Sequence, residues 1–259
     1  MKSQVSIRVD DRGVAYITID NSAKLNCLTT EGMTQFARSL AQLESNAGLK
    51  VAVLSGAGNK AFVGGASIDE MAALGSNAEE FITLVHRTCD AVRRLPVPVI
   101  ARIDGYALGA GLELAAACDF RICSEKSVFA MPEVRLGIPS VVEAVLLPGL
   151  IGWGRTRMLL LTGRSIDART AVDWGLVEEV TRNDELDAAV DRCVAEILSC
   201  GSSAVRLQKR LISSWETSTI PQSISESISA FTSACGGAER KELMDAYLAE
   251  RLARSKNAS

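Results

Sequence analysis

The stretch "GYALGAGLEL", residues 105–114, gathers three glycines and two alanines around a single acid, Glu113, with a leucine on either side of it. Glycines let a backbone turn sharply from a strand into a helix, and the first N–H groups of that helix have no partner within it. A helix starting near Gly109 places Glu113 in its first turn, on the same face as Ala110. The helix dipole favours a carboxylate there. Yet the neighbours are Leu112, Leu114 and the alanines that follow, so water is scarce. A carboxylate in such surroundings needs a partner or a task.

A second segment has the same form. "AFVGGASIDEM", residues 61–71, follows the short apolar run "VAVLSGAG" at 51–58. Two strand-to-helix turns brought together aim two backbone N–H donors at one oxygen, and removing one such donor costs about 2.7–4 kcal/mol of transition-state stabilisation. Phosphate binding is the rival use of glycine-rich turns. Here Leu114 fills the third glycine position of G-x-G-x-x-G after Gly109 and Gly111, and no G-K-[ST] ending is present. Taken alone, either segment also reads as ordinary packing and turn glycines. Glu113 tips the reading toward chemistry.

A second acid lies downstream in "VFAMPEVRLGIP", residues 128–139, where Glu133 follows Pro132 among apolar residues. Two desolvated carboxylates in one site do not both ionise readily, so one keeps its proton. That gives an acid and a base at neutral pH without histidine, metal or redox cofactor.

Around these segments the chain alternates short apolar runs with helical patterns. "VSIRVDDRGVAYITID", residues 5–20, reads as a hairpin turning at Asp11-Arg12-Gly13. "TTEGMTQFARSLAQLES", residues 29–45, reads as a helix capped by Thr29 or Thr30. A helix over 77–95 stops at Pro96 and Pro98, "VPVIARIDG" is a buried strand, "GAGLELAAACD" a helix and "FRICSE" another strand. The alternation implies an α/β layer structure with largely parallel pairing. Beyond about residue 184 only amphipathic helices remain, so residues 1–195 are expected to form an α/β core and 196–259 a helical region.

Composition narrows the function. The 259 residues are 47% hydrophobic and 23% charged, with net charge −3, which gives no footprint for nucleic acid. No apolar run is expected to reach the length of a membrane span, and the N-terminus has no secretory h-region. The seven cysteines include no C-x-x-C pair and stand beside one histidine, so reduced thiols in a cytoplasm are expected rather than a metal site or disulfides. His86, the single histidine, sits in "EEFITLVHRTCDAVRRL" and reads as part of an ordinary amphipathic helix face.

These residues together resemble the crotonase superfamily, the enoyl-CoA hydratases and isomerases. The resemblance runs nearly end to end, through "NSAKLNCLT", "AFVGGASIDEM", "DGYALGAGLELAAACDFRI", "PEVRLGIP" and "LLLTGRSIDARTAVDWGLVEEV". It implies a spiral of ββα units with a helical C-terminal region used for trimer formation, often as a dimer of trimers. It also implies an acyl-CoA thioester as substrate, with CoA part of the substrate and no separate cofactor or metal. The thioester oxygen would accept from the backbone N–H groups of Ala66 and Ala110. Lys24, Leu25, Ala66, Ser67, Ile68 and Asp69 fall at substrate-binding positions. Members that add water to an enoyl-CoA carry glutamates at the positions of both Glu113 and Glu133. The implied reaction is therefore reversible hydration of a 2-enoyl-CoA, with Glu113 activating the water and Glu133 exchanging the α-proton. Double-bond isomerisation, thioester hydrolysis and a non-catalytic role are the alternatives on this fold.

The chain departs from the common pattern at several points. Ser67 replaces an aspartate, Asp69 stands where a lysine or arginine often lies near CoA, and Glu250 replaces a CoA-contacting lysine. Lys24 is the alternative contact for the CoA phosphates, with an ordinary solvated lysine as the equal reading. In "PSVVEAVLLPGLIGWGR", residues 139–155, Val141, Val142 and a third acid, Glu143, replace glycines. An ion pair with a nearby arginine is the plain expectation for Glu143, and a substrate-shaping or auxiliary role the sharper one.

Overall fold

The computed structural model describes residues 4–257. The expected hairpin is present: β1 (Gln4–Val9) pairs antiparallel with β2 (Val14–Asp20). Asp10 braces its turn by accepting from the N–H groups of Arg12 and Val14. Helix α1 (Thr30–Glu44) is capped by Thr29, whose hydroxyl accepts from the Gly32 N–H. Met33, Phe36, Leu40 and Leu43 recur at helical spacing and form its buried face.

Three turns of one motif follow. β3 (Val51–Gly56), β5 (Val99–Ile103) and β7 (Phe120–Ser124) lie parallel in a six-stranded sheet of order β1-β2-β3-β5-β7-β10, with β10 spanning Glu179–Thr181. After each of these strands the chain adds a three-residue strand to a second sheet. These are β4 (Ala61–Val63), β6 (Tyr106–Leu108) and β8 (Val128–Ala130), parallel to one another, with β9 (Ser165–Asp167) antiparallel at the edge. The short strands leave no periodic signal, so "GYALGAG" and "AFVGG", read from sequence as turns out of the large-sheet strands, prove to be turns out of a second sheet. Phe62 and Phe129 are fully buried there. Each such side chain contributes about 1.5–3 kcal/mol through its removal from water.

The second-sheet strands lead into helices. β4 feeds α2 (Ile68–Ala72) and then α3 (Ala78–Arg94), whose buried face is Phe81, Val85, Cys89 and Val92. β6 feeds α4 (Ala110–Ala116), of which every residue is buried. β8 feeds a 3-10 turn, Glu133–Leu136, and then a second, Val142–Leu146, which runs into α5 (Leu147–Thr162). Val142–Thr162 is long and apolar enough to cross a membrane by length and composition alone, although Glu143, Arg155 and Arg157 interrupt its apolar residues. It is not one regular helix, because α5 breaks at Gly152 (φ 76°) and its 3-10 lead-in carries the buried Glu143. Helix α6 (Ala168–Trp174) precedes β10, and α7 (Leu186–Leu198) follows it.

The chain divides into two units, Met1–Val194 and Ala195–Ser259. In the second, α8 (Ser202–Trp215), α9 (Ile220–Cys235) and α10 (Ala238–Asn257) are the elements. Ile220, Ile224, Ile228 and Phe231 leave an exposed apolar stripe along α9.

Candidate active site

Two parallel neighbours of the second sheet carry the two glycine-rich turns. Ala61 pairs with Tyr106 and Val63 with Ala107, so β4 and β6 end side by side and their helices begin at the same edge. The segments touch closely: a Cβ on Gly65 would lie 3.1 Å from the Leu108 carbonyl oxygen, and one on Gly111 would lie 2.0 Å from that of Val63. Ala66 forms a lone parallel bridge to Leu28, in which Leu28 bonds to the Gly65 carbonyl and to the Ser67 N–H. The Ala66 N–H therefore points away from Leu28. Ala110 is the first residue of α4, where no acceptor exists within the helix. Among the described residues no protein acceptor meets either N–H.

Glu113 lies one turn into α4 and is only 4% exposed. Its Oε1 accepts from the Ala144 N–H at 3.2 Å. Burial pushes its carboxyl up to about 8, helped by the charges of Glu133 and Glu143 and opposed by the Ala144 hydrogen bond. Glu113 accordingly keeps its proton at neutral pH.

Glu133 is the other member of the pair, and it is less deeply placed than its apolar sequence context implies. It opens the Glu133–Leu136 turn half-buried, with exposed residues after it, so only Glu113 is strongly desolvated. Ser140 donates to its Oε2 at 2.8 Å. Its Oε1 packs over Gly109, where a Cβ would come within 2.2 Å. Gly109 itself has φ 50° and ψ −122°, a conformation that L residues avoid. One glycine thus turns the chain into α4, frees the Ala110 N–H and makes room for the second carboxylate.

Glu143 finds a different partner from the arginine expected. Its Oε1 accepts from His86 Nδ1 at 2.7 Å, and the Cys89 thiol is a second hydrogen-bond partner of this carboxylate. His86 is therefore more than a solvated position on an amphipathic face. No group of three His, Cys, Asp or Glu side chains is arranged to hold a metal among the described residues.

The enoyl-CoA hydratase/isomerase family model matches residues 10–256. The chain belongs to the enoyl-CoA hydratase/isomerase family. It is 34% identical to the crotonyl-CoA hydratase of Syntrophomonas wolfei over 242 residues, covering 93% of each chain. It is 32% identical to the short-chain-enoyl-CoA hydratase of Clostridium acetobutylicum over 240 residues, covering 92% of each. Among solved structures it is similar to an enoyl-CoA hydratase from Bacillus anthracis, with a TM-score of 0.91 and 32% identity over 95% of this chain and 96% of that one. The two-sheet spiral is the crotonase fold of this family.

Enzymes of this family act on acyl-CoA thioesters, and the positions expected to meet that substrate cluster around the first turn. Leu25, at φ 54°, accepts from the Gly64 N–H and packs against that glycine. Ser67 is buried and caps α2 by accepting from the Glu70 N–H, whereas Ile68 beside it is 64% exposed. Lys24 and Asp69 pair with each other at 2.6 Å, both in solvent. Glu250 pairs with Arg254 one helical turn along α10.

Sequence reasoning missed the supports. Asn21 and Asn26 are buried and tie the 21–27 loop to itself and to the carbonyls of Ala57 and Ala61. The "N-x-x-x-x-N" spacing flanking Lys24 and Leu25 was the available signal. Ser140 and the Ala144 N–H carried no signal, because only the fold brings them to the glutamates.

Proposed function

We propose that this chain is an enoyl-CoA hydratase that reversibly adds water to a 2-enoyl-CoA thioester, giving a 3-hydroxyacyl-CoA. The observation that carries the reading is a buried Glu113, its carboxyl pushed up by burial and by the charge of a half-buried Glu133, beside two outward backbone N–H groups. The thioester oxygen accepts from the N–H groups of Ala66 and Ala110, which stabilise the enolate-like charge of the transition state. A water held between the two carboxyls is the nucleophile.

The pair needs one proton, and its cycle closes. At rest the proton is on Glu113. It passes through the bridging water to Glu133. Ionised Glu113 then takes a proton from the water as hydroxide adds to Cβ, and Glu133 delivers its proton to Cα. The site ends as it began, with Glu113 protonated. Two glutamates alone thus return to their starting state after each turnover. The chain is read as acting in a cytoplasm, and the α9 stripe supports assembly as a trimer or a dimer of trimers.

The test is a product-resolved mass-spectrometric assay on a panel of acyl-CoA thioesters of increasing chain length. Hydration adds one water and removes the enoyl absorbance. Free thiol release instead marks a hydrolase, and an isomeric product of unchanged mass marks an isomerase. Binding without turnover of any member sinks the enzymatic reading.

A further inference from the structure

We infer that His86 and Glu143 form a positioning pair for Glu113, holding the Val142–Leu146 turn so that the Ala144 N–H stays on the Glu113 carboxyl. The inference rests on Glu113 being the carboxyl that activates the water in the hydration proposed above.

Three consecutive residues carry the argument. Val142 has φ 40°, in the left-handed region, which a β-branched residue occupies only when its surroundings impose it. Glu143 follows, 5% exposed, with Oε1 on His86 Nδ1 and the Cys89 thiol as a second hydrogen-bond partner of the carboxylate. Burying a carboxylate is costly, and nothing in the turn itself repays that cost, because both partners, His86 and Cys89, stand on α3. Ala144 comes next, and its N–H reaches Glu113 Oε1 at 3.2 Å. Strain, anchor and contact thus occur in one run, and the contact ends on the carboxyl that holds the proton.

The anchor point is rigid. His86 projects from α3 between Val85 and Cys89, which are fixed in the core, while its own side chain is half-exposed. The imidazole donates through Nδ1 to the carboxylate, which leaves Nε2 as its other polar atom. The groups that face Glu113 are Glu133 from the turn after β8, Glu143 from the turn before α5, and the Cys89 thiol from α3. Those that face Glu143 are His86 and Cys89 from α3 and Glu113 from α4. Burial, then the charges of Glu143 and Glu113, push the Cys89 thiol well above its usual range, so it stays neutral. Glu143 is therefore positioned to act on Glu113 in two ways, by orientation through Ala144 and by charge.

Three variants separate these effects from a purely structural role. His86→Leu removes the donor, His86→Asn keeps a donor near the Nδ1 position, and Glu143→Gln keeps an acceptor for His86 but removes the charge. Each is assayed for kcat and KM on the enoyl-CoA that the wild type turns over. Each is also titrated by carbon-13 NMR at the Glu113 carboxyl. His86→Leu is expected to lose about 10- to 100-fold in kcat with KM little changed, and His86→Asn to recover most of it. Glu143→Gln is expected to move the Glu113 titration to lower pH. If both His86→Leu and Glu143→Gln leave that titration in place, or if His86→Leu lowers only the melting temperature, the inference is overturned. The titration reads Glu113 whatever the reaction, so a failure of the hydratase reading shows separately, as absent turnover by the wild type.

Discussion

Glu133 Oε1 occupies the space into which a side chain on Gly109 would project, 2.2 Å from where a Cβ would stand. The second carboxylate and the start of α4 are thus fitted to each other. Gly109→Ala is expected to displace the Glu133 carboxyl and, through its φ of 50°, to rotate the Ala110 N–H. Strain of this kind costs about 1–3 kcal/mol. The loss in kcat should reach about a hundredfold, because both polar groups of the site move. Circular dichroism checks that the fold survives. A variant that folds and turns over like wild type would show that neither group needs its observed place.

Glu113 makes stability depend on pH in an unusual direction. Its carboxyl is raised from 4.5 to about 8 in the fold, so the folded chain holds this proton more tightly than the unfolded chain does. The corresponding stability is complete below pH 4.5 and drains away as pH rises through about 8. Glu113→Gln removes the titrating group. Its melting temperature should therefore fall less than that of wild type between pH 5 and pH 9, with the variant ahead by several degrees at the alkaline end. Thermal melts across that range check it; parallel curves would refute the buried, protonated acid.

The large sheet was legible because β3, β5 and β7 are apolar runs long enough to read, and α1 and α3 carry clear buried faces. The second sheet was not, because β4, β6 and β8 have three residues each and owe their conformation to one another. Glu113 and Glu133 stood out because acids are expensive in apolar surroundings. The partners of the carboxyls were hidden for a different reason. Ala144 contributes a backbone N–H, which no side chain advertises, and His86 lies 57 positions from Glu143 on a helix whose pattern is that of any surface helix.

Two glycines in helices give opposite expectations. Gly111 in α4 leaves no room, since a Cβ there would lie 2.0 Å from the Val63 carbonyl oxygen, whereas Gly154 in α5 has nothing within 4 Å. The β4 backbone cannot yield without shifting the Gly64–Ala66 turn. Gly111→Ala should therefore lower the melting temperature steeply and reduce kcat with it. Gly154→Ala gains helix propensity, about 0.5–1 kcal/mol, and should raise the melting temperature by a few degrees with kcat unchanged. Paired thermal melts decide the matter, and equal effects at the two positions would contradict the close approach of α4 to β4.

Lys24 and Asp69 lie 2.6 Å apart, and each raises the charge-holding tendency of the other: the lysine is pushed up and the aspartate down. Both are fully solvated, so the pair is weak and open to exchange. If CoA phosphates draw Lys24 away from Asp69, Lys24→Ala should raise KM for the thioester severalfold and Asp69→Asn should lower it severalfold. Both changes should shrink in high salt. The double variant then separates two causes. Where Asp69 acts only by occupying Lys24, adding Asp69→Asn to Lys24→Ala leaves KM where Lys24→Ala put it. Where the aspartate repels the phosphates directly, the second substitution still lowers KM. Unchanged KM in both single variants would remove the pair from the binding of the CoA head.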